Sequence, residues 1–215
     1  MAWAQSKTTT VEVSAPKYGV EYYRNLYDKK RESFAPIRMA LVGKENTSKT
    51  GNAIDLAMKH TDKEIVVLDC DNSAQNTVDY LISTGELDAS RIRVIPMVDE
   101  MDDAMWNDDN TTNWVAVVEK LEWFTNFIGE QADDIGAVIL DGGSTFLKWC
   151  EFVMTERLIN RGVINDESDN FNQKEWRERN RIFKGVLNRI TALPIPYVFF
   201  TFHLKDQKRY TDVGN

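Results

Sequence analysis

Apolar residues along this chain follow two alternating rhythms. Continuous runs, "IRMALV" (37–42), "EIVVLDC" (64–70), "IRVIPM" (92–97), "GAVILD" (136–141) and "YVFFTF" (197–202), are of strand length. Runs without polar interruption suit strands covered on both faces. Between them lie segments with apolar residues at helical spacing: 50–60, 73–84, 114–128, 146–159 and 173–193. In the third of these, Trp114, Val117, Val118, Leu121 and Ile128 share one face. The alternation predicts a three-layer α/β fold, with a mostly parallel sheet of at least five strands and helices on both faces.

Outside that rhythm, residues 1–17 are rich in Ser and Thr and read as a tail or docking arm. Residues 18–34 carry aromatics on a helical stripe that Pro36 should end, giving a helix expected to pack on the domain surface. The expected division is therefore a tail and helix (1–35) and one α/β domain (36–215). Two loops interrupt the domain. The acidic one, 99–113, reads as solvated surface, and the polar one, 161–172, carries no arginine-rich lid of the kind a small-molecule kinase needs.

Composition narrows the partners. Hydrophobic residues at 42% and charged residues at 28% fit a globular domain. No apolar run is long enough to span a bilayer, and the first residues lack a signal-peptide pattern, so a cytoplasmic protein without a membrane partner is expected. Cys70 and Cys150 alone suggest no disulfide framework. The net charge of −8 argues against coating nucleic acid through a general positive field, but leaves room for a local basic cluster.

Candidate chemistry begins at "GKENTSKT" (43–50), which follows a predicted strand and opens a predicted helix. That is the setting of a phosphate-binding loop, whose backbone N–H groups and helix N-terminus face the phosphates. The expected nucleotide contacts are Gly43, Lys44, Asn46, Thr47, Ser48, Lys49, Thr50 and Gly51. Lys49 would reach the β- and γ-phosphates, and the Thr50 hydroxyl would join a Mg²⁺ shell. Ser48 stands where the pattern has glycine, at some cost in backbone strain. Asp141, at the end of an apolar strand, is the expected second Mg²⁺ residue. ATP and Mg²⁺ are the expected cofactors.

With these residues the chain resembles the RecA-like branch of P-loop ATPases over about residues 37–206, especially the small phage and archaeal-virus proteins that accompany single-strand annealing and recombination. The resemblance is carried by "GKENTSKT", "VVLDCDNS", "VILDGGS" and "WRERNRIFKGVLNRITALPIPYVFFTFHLKD". It implies an ATPase acting on or assembling with DNA, with single-stranded DNA or a DNA-binding protein as partner. It also implies nucleotide sites shared between subunits of a homo-oligomer, where Lys205, Lys208 or Arg209 would serve as a finger or a DNA contact. The water-polarising carboxylate would be Asp71 or Asp69, where the family usually has glutamate. Thr201 and His203 match a γ-phosphate sensor.

Lys44 gives a weaker resemblance to partition ATPases of the ParA and MinD kind, though Glu45 and Asn46 replace two of their glycines. Sheet order separates the two families: RecA-like folds insert a strand between the loop strand and the Asp141 strand, and partition ATPases pair them directly. A nucleotide-gated scaffold or packaging accessory that does not hydrolyse is a further alternative. For DNA, "KEWRERNR" (174–181) sets basic residues beside Trp176, a combination suited to single strands. Glu175 and Glu178 share those turns, however, as in ordinary helical ion pairing.

Overall fold

The computed structural model describes residues 19–32, 36–165, 171 and 173–204. The chain divides into two units, Met1–Ala35 and Pro36–Asn215. The first contains helix α1 (Val20–Glu32), with Tyr22, Tyr23 and Tyr27 exposed.

The second unit runs β1 (Ile37–Gly43), α2 (Lys49–His60), β2 (Glu64–Asp69), α3 (Ala74–Ser83), β3 (Ile92–Pro96), α4 (Trp114–Glu130), β4 (Ile135–Asp141), α5 (Gly143–Asn160), α6 (Trp176–Thr191) and β5 (Tyr197–His203). All strand pairs are parallel, in the order β1-β5-β4-β2-β3. The last strand of the chain thus lies between the loop strand and the Asp141 strand.

Alternation along each strand divides the core. Val66, Leu68, Val138, Leu140, Val198 and Phe200 pack beneath α4, α5 and α6. Ile65, Val67, Ala137, Ile139 and Phe199 point the other way, onto α2 and α3. Every residue of β4 is buried, which explains its unbroken apolar run. Each fully buried aliphatic or aromatic side chain contributes about 1.5–3 kcal/mol, so the central strands anchor the sheet. β1 borders it: among the described residues its only strand neighbour is β5, and Ile37, Met39 and Val42 remain largely exposed.

The turn before β5 is held from β1. The Arg38 guanidinium donates to the carbonyls of Thr191 (2.7 Å), Leu193 (2.8 Å) and Ile195 (2.9 Å), which closes the end of α6. Desolvation lowers the Arg38 pKa from its ordinary value.

Element limits differ from the sequence reading at both α5 and α6. α5 begins at Gly143 rather than 146, with the Phe146 N–H donating to the Gly142 carbonyl at 3.0 Å. α6 begins at Trp176 after a turn at 173–175. The acidic loop is more ordered than a solvated run: Asp99, Asp102 and Asp109 accept from nearby backbone N–H groups, and Met105 is buried in the core. Among the described residues no helix is long and apolar enough to cross a membrane.

Candidate functional site

Strand register brings the candidate residues together. Gly43 lies opposite His203, and Asp69 opposite Asp141, so four strands deliver their C-terminal ends to one edge of the sheet. Open parallel sheets bind ligands at this edge. A cleft of about 1010 Å³ opens here, lined by the loop from Glu45 onward, by Asp71, Asp141, Thr201 and His203, and by α3.

The loop is tightly wound. A Cβ on Gly43 would lie 2.6 Å from Thr47 Oγ1, so a larger residue would displace the Thr47 hydroxyl from the Lys44 carbonyl. Asn46 (φ 57°) and Ser48 (φ 54°) are left-handed, the latter at the position where the motif has glycine. Ser48 makes no side-chain cap to α2, and the first turn of α2 contains no acidic residue. The positive helix end is thus left uncompensated and faces the cleft, as an anion site requires.

Lys49 is buried, and its Nζ donates to the Lys44 carbonyl at 2.7 Å. The same carbonyl accepts from Thr47 Oγ1 at 2.8 Å. The ammonium is therefore folded across the loop and satisfied by one backbone oxygen. Lys44 contributes that carbonyl, and its own side chain is not among the groups lining the cleft.

Thr50 Oγ1 donates to the Asp141 carboxylate, 2.8 and 2.9 Å from its two oxygens, across 91 residues of chain. Thr201 Oγ1 donates to Asp141 Oδ1 at 2.6 Å and accepts from the Gly142 N–H at 2.9 Å. Burial raises the Asp141 pKa, while the hydrogen bonds from Thr201 and Thr50 pull it back down.

The two strand-end carboxylates have separate duties. Asp69 is buried and accepts from the backbone N–H groups of Asp71, Ser73 and Ala74, holding the N-terminus of α3. Burial pushes its pKa up to about 6, against the hydrogen bond from Ala74 and with the charges of Asp71 and Asp141 adding to the rise. Asp71 faces the cleft, accepts from Ser73 Oγ at 2.6 Å, and lies 3.3 Å from His203 Nε2. Asp69, Asp71 and Asp141 present oxygens within 4.8 Å of one another, a spacing that suits a cation.

Sequence reading missed the second wall of the cleft. Ser73, Asn76, Thr77 and Tyr80 line it from α3. Their spacing of three and four residues was visible, but such a polar face also describes any solvated helix. The structure does not join Trp176 to the cleft. Its ring packs edge-on to Phe171, with the Arg179 guanidinium 4.4 Å above it. Lys205, Lys208 and Arg209 lie outside the described residues.

No family model matches the chain, and no curated protein matches its sequence.

Proposed function

We propose that this chain is an ATP-binding, Mg²⁺-dependent ATPase of the RecA-like kind that acts on DNA or assembles with it. The observation that carries the reading is the Thr50–Asp141 contact beside a buried Lys49, at the C-terminal edge of a parallel sheet. A polar turn that merely contained a lysine would have no reason to place its threonine on a carboxylate 91 residues away. The position of β5 between β1 and β4 supports the RecA-like reading over the partition-ATPase one.

In this reading the loop backbone and the α2 N-terminus hold the phosphates. Lys49 exchanges the neutral Lys44 carbonyl for an anionic phosphate oxygen, which turns an ordinary hydrogen bond into a charge-assisted one. Thr50 and Asp141 would hold Mg²⁺, which supplies charge neutralisation on the phosphates when bound. Asp71, on the cleft wall and next to His203, orients the attacking water. Asp69 is a positioning residue, because its oxygens are committed to α3. Catalysis then consists of positioning and electrostatics, without a covalent intermediate.

The test is ATP binding and turnover with Mg²⁺ for wild type and Lys49→Ala. Removing a charge-assisted phosphate contact costs about 2–4 kcal/mol, so affinity should fall by roughly 30- to 1000-fold. Equal affinity in both proteins would defeat the reading. Tight binding without turnover would favour the nucleotide-gated scaffold instead, an outcome to which the short Asp71 side chain lends weight.

A further inference from the structure

The cations of the α5–α6 layer fall into two groups. Arg157 and Arg161 pair with Glu178, Arg179 with Glu151, and Arg189 with Glu122. Glu178 therefore reaches across to Arg157 and Arg161. Arg177, Arg181 and Lys184 are left exposed and have no ion pair among the described residues. At 3.6 residues per turn these three fall within an arc of about 60°, and they span about 10 Å of helix.

We propose that this crest of α6 is a docking site for the phosphate backbone of nucleic acid, bound without base readout through Arg177, Arg181 and Lys184. It rests on the DNA half of the function proposed above, and it deepens that half by naming the surface and the mode. Two observations favour polyphosphate over an acidic protein. The cations form a line rather than a cluster, as a charged backbone does. None of the largely exposed large hydrophobic residues lies on α6, so a protein partner would lack the apolar centre its interface needs. The groove between α4 and α6 is lined by Arg157, Arg181 and Arg189 as well as Glu119 and Glu122, so Arg181 sits where the crest meets its rim.

The mode follows from Trp176. With Arg179 over its face and Phe171 at its edge, the ring offers no platform to an incoming base. Single and double strands should thus bind alike, in contrast to the aromatic-plus-basic reading of residues 174–181. With a net charge of −8 behind it, the crest should bind weakly and with steep salt dependence.

The experiment is fluorescence anisotropy of labelled single- and double-stranded oligonucleotides of about 30 residues, titrated with the full chain from about 50 to 300 mM salt. Three proteins are compared: wild type, R177A/R181A/K184A, and the charge-matched K59A/K63A/R93A. Losing three phosphate contacts should flatten the slope of log affinity against log salt by about 2 to 3 and weaken binding about tenfold or more at low salt. The charge-matched variant should stay within about threefold of wild type, because its cations lie away from α6. Equal losses in the two variants would overturn the proposal, as would no wild-type binding, or a crest variant altered only in self-association. ATP binding is read on the same samples. Its absence alongside intact, crest-dependent DNA binding would sink the nucleotide site and leave the crest standing.

Discussion

His203 Nε2 lies 3.3 Å from Asp71 Oδ2, while the other ring nitrogen, Nδ1, is buried without a partner among the described residues. A tautomer protonated on Nε2 donates to Asp71 and leaves only a lone pair unmet, the cheaper of the two arrangements. The pair then acts as one unit: the ring fixes the carboxylate that faces the cleft.

Asp71→Asn should therefore separate chemistry from binding. Turnover is expected to fall about 100-fold or more, the usual scale for a lost general base, while ATP affinity stays within about threefold. His203→Gln keeps a donor near Asp71 and should cost closer to tenfold. Steady-state kinetics beside direct nucleotide titration checks both, and full turnover in Asp71→Asn would remove Asp71 from the mechanism.

Ser48 pays for a left-handed backbone with no cap in return. Relieving that conformation is worth about 1–2 kcal/mol, and glycine loses about 0.4–1 of it to unfolded-chain entropy. Ser48→Gly should thus stabilise the protein by roughly 0.5–1 kcal/mol, or about 1–4 °C at this chain length. A lower thermal midpoint would show that the serine hydroxyl has a partner in the working loop.

Thr201 serves Asp141 and the Gly142 N–H with a single buried hydroxyl. Thr201→Val strands the Gly142 N–H, at about 1–3 kcal/mol, and leaves Asp141 with Thr50 alone, whereas Thr201→Ser retains both contacts. Urea unfolding should rank wild type, Ser, then Val, with a wide gap before Val. Equal midpoints for Ser and Val would mean that the hydroxyl contributes nothing.

The raised Asp69 carboxyl has a definite sign. With a folded pKa of about 6, against an ordinary value near 3.8, the folded state binds the proton more tightly. Stability is therefore greatest below the unfolded value and is lost as pH rises through about 6. The full span approaches roughly 3 kcal/mol at 1.4 kcal/mol per unit. Asp69→Asn keeps an acceptor for α3 and removes the titration. Thermal midpoints at pH 5 and pH 7.5 should differ for wild type and converge for the variant; parallel curves would contradict the assignment.

Much of this was legible beforehand, for identifiable reasons. The central strands announced themselves because burial on both faces leaves few polar positions, as in 136–141, while β1 and β3 kept an apolar run despite their exposed positions. Lys49, Thr50 and Asp141 were legible because the loop motif fixes their spacing to a strand end. Asp69 and Asp71 could not be told apart, since they are two residues apart and only the turn after β2 decides which one caps α3. The first turn of α5 was hidden by Gly142 and Gly143, poor helix formers on any propensity scale. The partners of Glu178 were hidden because they sit on α5 and at its C-terminal end, a tertiary fact that helical spacing cannot anticipate.

Among the described strands, β1 is made first and paired last. Ile37 finds its partner in Tyr197, and Gly43 in His203, so the strand that leads into the loop at 43–50 waits until β2, β3 and β4 have been made. Before β5 arrives, β2, β3 and β4 can already pair among themselves. On the proposed function, the loop between β1 and α2 is aimed only once β5 has been made, and a ribosome-bound chain still short of β5 would carry the loop without the sheet that aims it.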